Sequence, residues 1–157
     1  MALVSGRQLR PFTRVLNADD MNAGSGETDI AVTNGDYTKV AYYQVPAQQQ
    51  IAIGAGEIAN GVDSREYVQI RFDSAAGEIA GKYRIGYTNA NETNIQIVKE
   101  ERSDNIGQAS TVKLGEVKNL RVGEDSYIVI YLNPDEDTTI DYSDSDNKIL
   151  LPVTVYQ

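Results

Sequence analysis

The sequence predicts an all-β protein: an antiparallel β-sandwich, jelly-roll-like, with a short N-terminal arm. Three observations carry that expectation. Apolar residues recur with a period of two, which suits strands with one buried face. Turn residues punctuate the chain at the spacing of about 8–12 residues typical of sandwiches and barrels. Helix signals are nearly absent. A chain of 157 residues is expected to form one domain, and it is long enough to bury a core without staples.

Taken in order, Met1–Leu16 holds Arg7, Arg10 and Arg14 and no acid. Asn17–Asp29, "NADDMNAGSGETD", is rich in Asn, Asp, Gly and Ser and reads as a linker. The division expected is an arm and linker over residues 1–26 and a sandwich over 27–157. "DYTKVAYYQV" and "QQIAIGAG" are strand candidates, with Pro46 between them where a ladder donor would be lost. "YVQIRFDS" alternates cleanly, with Val68, Ile70 and Phe72 on one face and Gln69, Arg71 and Asp73 on the other. The turn "AAGE" leads to "IAGKYRIGYTN", where Tyr83, Ile85 and Tyr87 share a face. "NANE" leads to "TNIQIVKEE", with Ile95 and Ile97 aligned. These three strands are expected to form a meander. "ERSDNIGQAS" reads as a loop, and "STVKLGEV" as a weaker strand aligning Val112 and Leu114. "SYIVIYLNP" is apolar on both faces from Tyr127 to Leu132, so a cover on each side is expected, from within the domain or from a partner. "TTIDY" is a short strand between the turns "NPDED" and "SDSDN". In the last segment, "KILLPVTVYQ", Ile149, Leu151, Val153 and Val155 line one face, and Pro152 must sit where no ladder donor is needed.

Composition excludes several chemistries. The chain has no His and no Cys, which removes Ser-His-Asp, Cys-His and His- or Cys-ligated zinc arrangements. Any hydrolase would depend on carboxylates such as Glu78, Glu100 and Glu101, and nothing in the sequence pairs them. "IGAGEIANG" lacks the Lys of a phosphate loop. No enzyme activity and no cofactor are expected. Formal charge is −9; with the first 16 residues at +3, the other 141 hold −12. An acidic body argues against a nucleic-acid partner. No apolar run reaches the ~20 residues a spanning helix needs, and no membrane partner is expected. The opening "MALVSGRQLRPF" is not expected to act as a signal peptide.

Two features suggest binding. Ten Tyr stand against two Phe, and tyrosine suits protein interfaces because it buries area while keeping a polar tip. Tyr127 and Tyr131 lie opposite Ile128, Ile130 and Leu132, so they are expected to face outward. With Tyr156 they are candidate interface anchors, alongside Arg7, Arg10 and Arg14 as arm contacts. The acidic run ending "DYSDSDN" offers Asp141, Asp144 and Asp146 as calcium ligands, although it lacks the Gly and the bidentate Glu of a calcium loop; solvated turns explain the same residues.

The stretch "REYVQIRFDSAAGEIAGKYRIGYTNANETNIQIVKEERSD" and the ending "KILLPVTVYQ" resemble capsid-surface β-sandwich proteins of tailed phages and archaeal viruses. Decoration and turret components and small jelly-roll capsid proteins belong to that group. The resemblance implies a virion structural protein that assembles with copies of itself and with other capsid proteins. It further implies contact through sheet edges and through an arm hinged at Asn17–Asp29, with no catalytic residues. The alternative from the residues is an extracellular binding or adhesion module, calcium- or carbohydrate-dependent, using the loop Asp135–Asn147.

Overall fold

The computed structural model describes residues 11–54, 67–102, 112–113 and 121–157. All its described regular structure is β, and all its strand pairs are antiparallel. One sheet contains β1 (Pro11–Asn17), β13 (Lys148–Tyr156), β5 (Tyr67–Arg71) and β10 (Val112–Lys113) in that order, with β4 (Gln50–Ile53) also paired to β13. The second runs β3 (Thr38–Gln44), β11 (Ser126–Pro134), β8 (Gly81–Asn89), β9 (Gln96–Arg102). Two short ribbons complete it: β2 (Ile30–Val32) with β12 (Thr138–Ile140), and β6 (Asp73–Ser74) with β7 (Gly77–Glu78).

The two sheets share one core. Leu16, Ile51, Ile53, Val68, Ile70, Leu151, Val153 and Val155 come from the first sheet. Val40, Ala41, Tyr83, Ile85, Tyr87, Ile128, Ile130 and Leu132 come from the second. The predicted antiparallel sandwich is thus observed, and the period-two faces of β5, β8 and β13 point inward as expected. A buried hydrogen bond crosses between the layers: Ile53 N–H on β4 donates to the Tyr87 hydroxyl on β8 at 2.6 Å.

The expected meander is only partly present. β8 and β9 do form a hairpin, but β5 belongs to the other sheet. The "AAGE" turn closes nothing larger than the β6–β7 ribbon, with Gly77 at φ +113°. The chain then crosses to the second layer. A short turn shows that the chain reverses; it does not show that both arms remain in one sheet.

Pro11–Asn17, expected within the arm, is a strand of the first sheet, paired residue for residue with Leu150–Tyr156. The segment after it is not a loose linker. Asn17 N–H donates to Asp20 Oδ2 and Asp20 N–H to Asn17 Oδ1, at 3.0 and 2.9 Å, so the two side chains lock the turn reciprocally. Met21 and Ala23 are buried, and Tyr42 N–H donates to the Met21 carbonyl. The Asn and Asp that read as linker composition are the residues that close this turn.

β13 is a central strand, flanked by β1 from Leu150 to Tyr156 and on its other side by β5 and then β4. Pro152 stands where the neighbour changes. β5 pairs as far as Leu150, β4 starts at Val153, and the Pro152 carbonyl accepts from Gly54 N–H. The carbonyl and nitrogen of one strand residue point to the same side. The missing donor therefore faces the junction between two partners, where no ladder bond is lost.

Candidate assembly surfaces

The outer face of the second sheet carries most of the predicted anchors. Tyr42, Val129, Gly86 and Ile97 form one row across its four strands, and Tyr127 and Tyr131 lie on the same side of β11 as Val129. Tyr42 is 37% exposed and contacts Tyr127 with ring centroids 6.2 Å apart; Lys39 Nζ lies 5.1 Å from the Tyr42 ring. Beside them, the Arg84 guanidinium stacks 3.8 Å from Tyr37 and donates to Glu100 at 3.0 Å, while the Tyr37 hydroxyl donates to Glu100 at 2.9 Å. Arg84's hydrogen bond, followed by Tyr37's, holds Glu100 below its usual carboxylate range. Burial, then Glu100, raises Tyr37.

Tyr131 lies on the outer side of β11 but is not exposed there as expected. It is only 7% exposed, and its hydroxyl donates to Glu92 Oε1 at 2.7 Å. Glu92, at φ +53° in the β8–β9 turn, also pairs with Lys39 at 3.7 Å. The turn thereby reaches over β11, and the apolar second face of that strand is covered from within the domain. Burial pushes the Tyr131 hydroxyl's pKa up, with Glu92 adding to the effect. Tyr131 is a packing residue rather than an interface anchor.

Arg14 is also committed internally. It lies on the core-facing side of edge strand β1. Its guanidinium donates to the Tyr43 hydroxyl on β3 at 3.0 Å and to Asp20 at 2.9 Å, and stands 5.5 Å from the Tyr43 ring. It clasps the two sheets at their β1 and β3 edges, with its side chain still 39% exposed. Arg7 and Arg10 lie outside the described residues. Tyr156 is half-buried on the outer face of the first sheet, under Arg121 at 3.9 Å.

The predicted calcium set is regrouped. The carboxylates brought within 4.8 Å of one another are Asp73, Asp144 and Asp146. Asp141 instead accepts from the backbone N–H and hydroxyl of Ser143. Asp73, expected on the face opposite Val68, Ile70 and Phe72, is buried at the corner after β5, where Asn147 Oδ1 accepts from its N–H and its carbonyl accepts from Asp141 N–H. A cation is already present there: the Arg71 guanidinium donates to both Asp73 oxygens at 3.0 and 3.3 Å and lies 4.0 Å from Asp146. Arg71 is held more firmly protonated by that hydrogen bond to Asp73. Alternation in "QIRFD" places Arg71 and Asp73 on one face, but its distance in sequence from Asp144 hides the cluster.

No protein-family model matches the sequence, and no match was found among curated proteins. Among solved structures, the chain is similar to VP17, a capsid protein of bacteriophage P23-77. That likeness has a TM-score of 0.59 at 9% identity and covers 95% of this chain and 97% of VP17. It is similar also to a chain of the VP16–VP17 complex, formed by the two major capsid proteins of the same phage. There the TM-score is 0.56 at 9% identity, over 93% of this chain and 98% of the other. At this identity the likeness is one of fold, and it extends over nearly the whole of each chain.

Proposed function

We propose that this chain is a non-enzymatic structural subunit of a viral capsid, located in the virion and packed against other capsid proteins. The observation that carries the proposal is the whole-length match to a capsid protein, with almost nothing left over on either chain to house another activity. The sandwich is consistent with it. Described pairs of opposite charge are taken up within the fold, and the aromatic residues of the second sheet present a broad, rigid outer face. Tyr42, 37% exposed, with the partly buried Tyr127 beside it and Tyr156 on the other sheet, would meet neighbouring subunits. Residues 1–10, with Arg7 and Arg10, would add a basic contact ahead of β1. A calcium-dependent adhesion module is the weaker reading, because Arg71 supplies the positive charge its acidic cluster would draw from an ion.

The test is mass spectrometry of purified particles from the virus or provirus that encodes the chain. Peptides of this protein are expected at the stoichiometry of a shell subunit. Finding the chain in the infected cell but not in intact particles would overturn the proposal.

A further inference from the structure

The sheets have several edges, and most are blunted. The β3 edge is taken by the 17–23 turn, through Tyr42 N–H to Met21 O and Asn22 Nδ2 to Tyr42 O. β4 exchanges two hydrogen bonds with Val122 on its outer side. β9 carries a bulge at Val98, opposite Ile85 and Gly86, and a run of charges from Lys99 to Arg102. These are the devices by which proteins keep edges from pairing. Over its seven residues β1 is neither covered by another described segment, bulged nor lined by a run of charges; of such devices it carries only Pro11 at its start and Arg14, whose charge is turned inward to Asp20 and Tyr43. It is regular, it is bulge-free along β13, and among the described residues no strand pairs with its outer side. It also presents Phe12, 48% exposed.

We infer that the outer edge of β1 pairs antiparallel with β1 of a second copy, about a two-fold axis at Thr13. The inference rests on the assembly reading above and names its partner. Charge decides the direction. The chain ahead of β1 carries Arg7 and Arg10 and no acid, while the turn after β1 carries Asp19 and Asp20. Antiparallel pairing brings the basic approach of one strand beside the acidic exit of the other, twice over, as an isologous contact requires. Parallel pairing would set like against like. The axis follows from the side chains. A two-fold perpendicular to the sheet must pass through a residue, because paired residues share a face. At Arg14 it would oppose two guanidinium groups. At Val15 it would leave Phe12 beyond the partner's strand. At Thr13 it sets Phe12 against the partner's Arg14, a ring against a cation on the core-facing side, and Pro11 against the partner's Val15. The result is one sheet continuous across two subunits.

The chain has no cysteine, so single-cysteine variants report directly. Thr13→Cys, oxidised in dilute solution, is expected to give a disulfide-linked dimer at least tenfold faster than Val15→Cys. Native mass spectrometry of the unmodified protein is expected to show a dimer that weakens as salt rises. Circular dichroism confirms that each variant is folded. A wild-type protein that stays monomeric at tens of micromolar, or equal cross-linking of the two variants, would overturn the inference. A monomer that is nevertheless found in particles removes the edge contact and leaves the capsid reading standing. A Thr13-linked dimer absent from particles does the reverse.

Discussion

Replacing Tyr87 by Phe tests how the two layers are joined. Tyr87 is 2% exposed, and its ring lies in the shared core. Phenylalanine keeps that ring, so no cavity opens. What is lost is the acceptor for Ile53 N–H, a 2.6 Å bond between β8 and β4. A buried N–H left without a partner costs about 1–3 kcal/mol. For a chain of this size that corresponds to a fall in Tm of roughly 3–10 °C. The effect should also depend on pH. Burial raises the Tyr87 pKa from 10.0 to about 12, partly offset by the Ile53 hydrogen bond. The folded state thus holds this proton more tightly than the unfolded state. The stability linked to it is complete below pH 10 and is lost as pH climbs toward 12. At pH 11 the wild type should have lost about 1.4 kcal/mol that the variant never had. Tyr83 and Tyr142, also raised by burial, affect both proteins equally. Urea unfolding at pH 8 and pH 11 is the assay. A gap between wild type and Tyr87→Phe that is absent at pH 8, or that does not narrow by pH 11, would refute the reasoning.

Other outcomes follow from single contacts. Gly86→Ala should disturb the β8–β9 pairing, because a Cβ there would lie 2.3 Å from the Gln96 carbonyl oxygen and 3.1 Å from Ile97 Cα; a loss of about 1–3 kcal/mol is expected, with faster amide exchange along β9. Leu151→Ala, at a fully buried position of β13, should cost about 2–5 kcal/mol in urea unfolding. Millimolar Ca²⁺ should leave the wild-type Tm unchanged, whereas in Arg71→Ala, with Asp73, Asp144 and Asp146 no longer matched by a cation, it should raise Tm; a clear rise in the wild type would show that Arg71 does not fill the cluster's role.

Local pattern revealed much of this fold. The alternation in β5, β8 and β13 identified their inward faces, and the two-sided apolar run of β11 announced a strand covered twice. What local pattern could not supply was partnership at a distance. β1 is half polar and reads as a leader until Leu150–Tyr156 is placed beside it. Nothing in "RFDSAAGEIAG" shows that the chain changes layers there. Tyr131 was expected outside because its strand neighbours alternate correctly, but Glu92, 39 residues earlier, folds over it. The acidic cluster was half legible: Asp144 and Asp146 are neighbours in sequence, while Asp73 and its guanidinium partner arrive from another strand.

Consider last the ladder between β1 and β13, whose partners lie between 133 and 145 residues apart. Closing so long a loop exacts its entropy before the strands repay it, and topologies dominated by such closures are slow to fold. During synthesis β1 must wait for its β13 partner until Leu150–Tyr156 has been made. A cell producing this protein in quantity would then hold a pool of newborn chains whose β1 is looking for company, and crowding or rapid translation would favour mispaired aggregates over natively folded subunits.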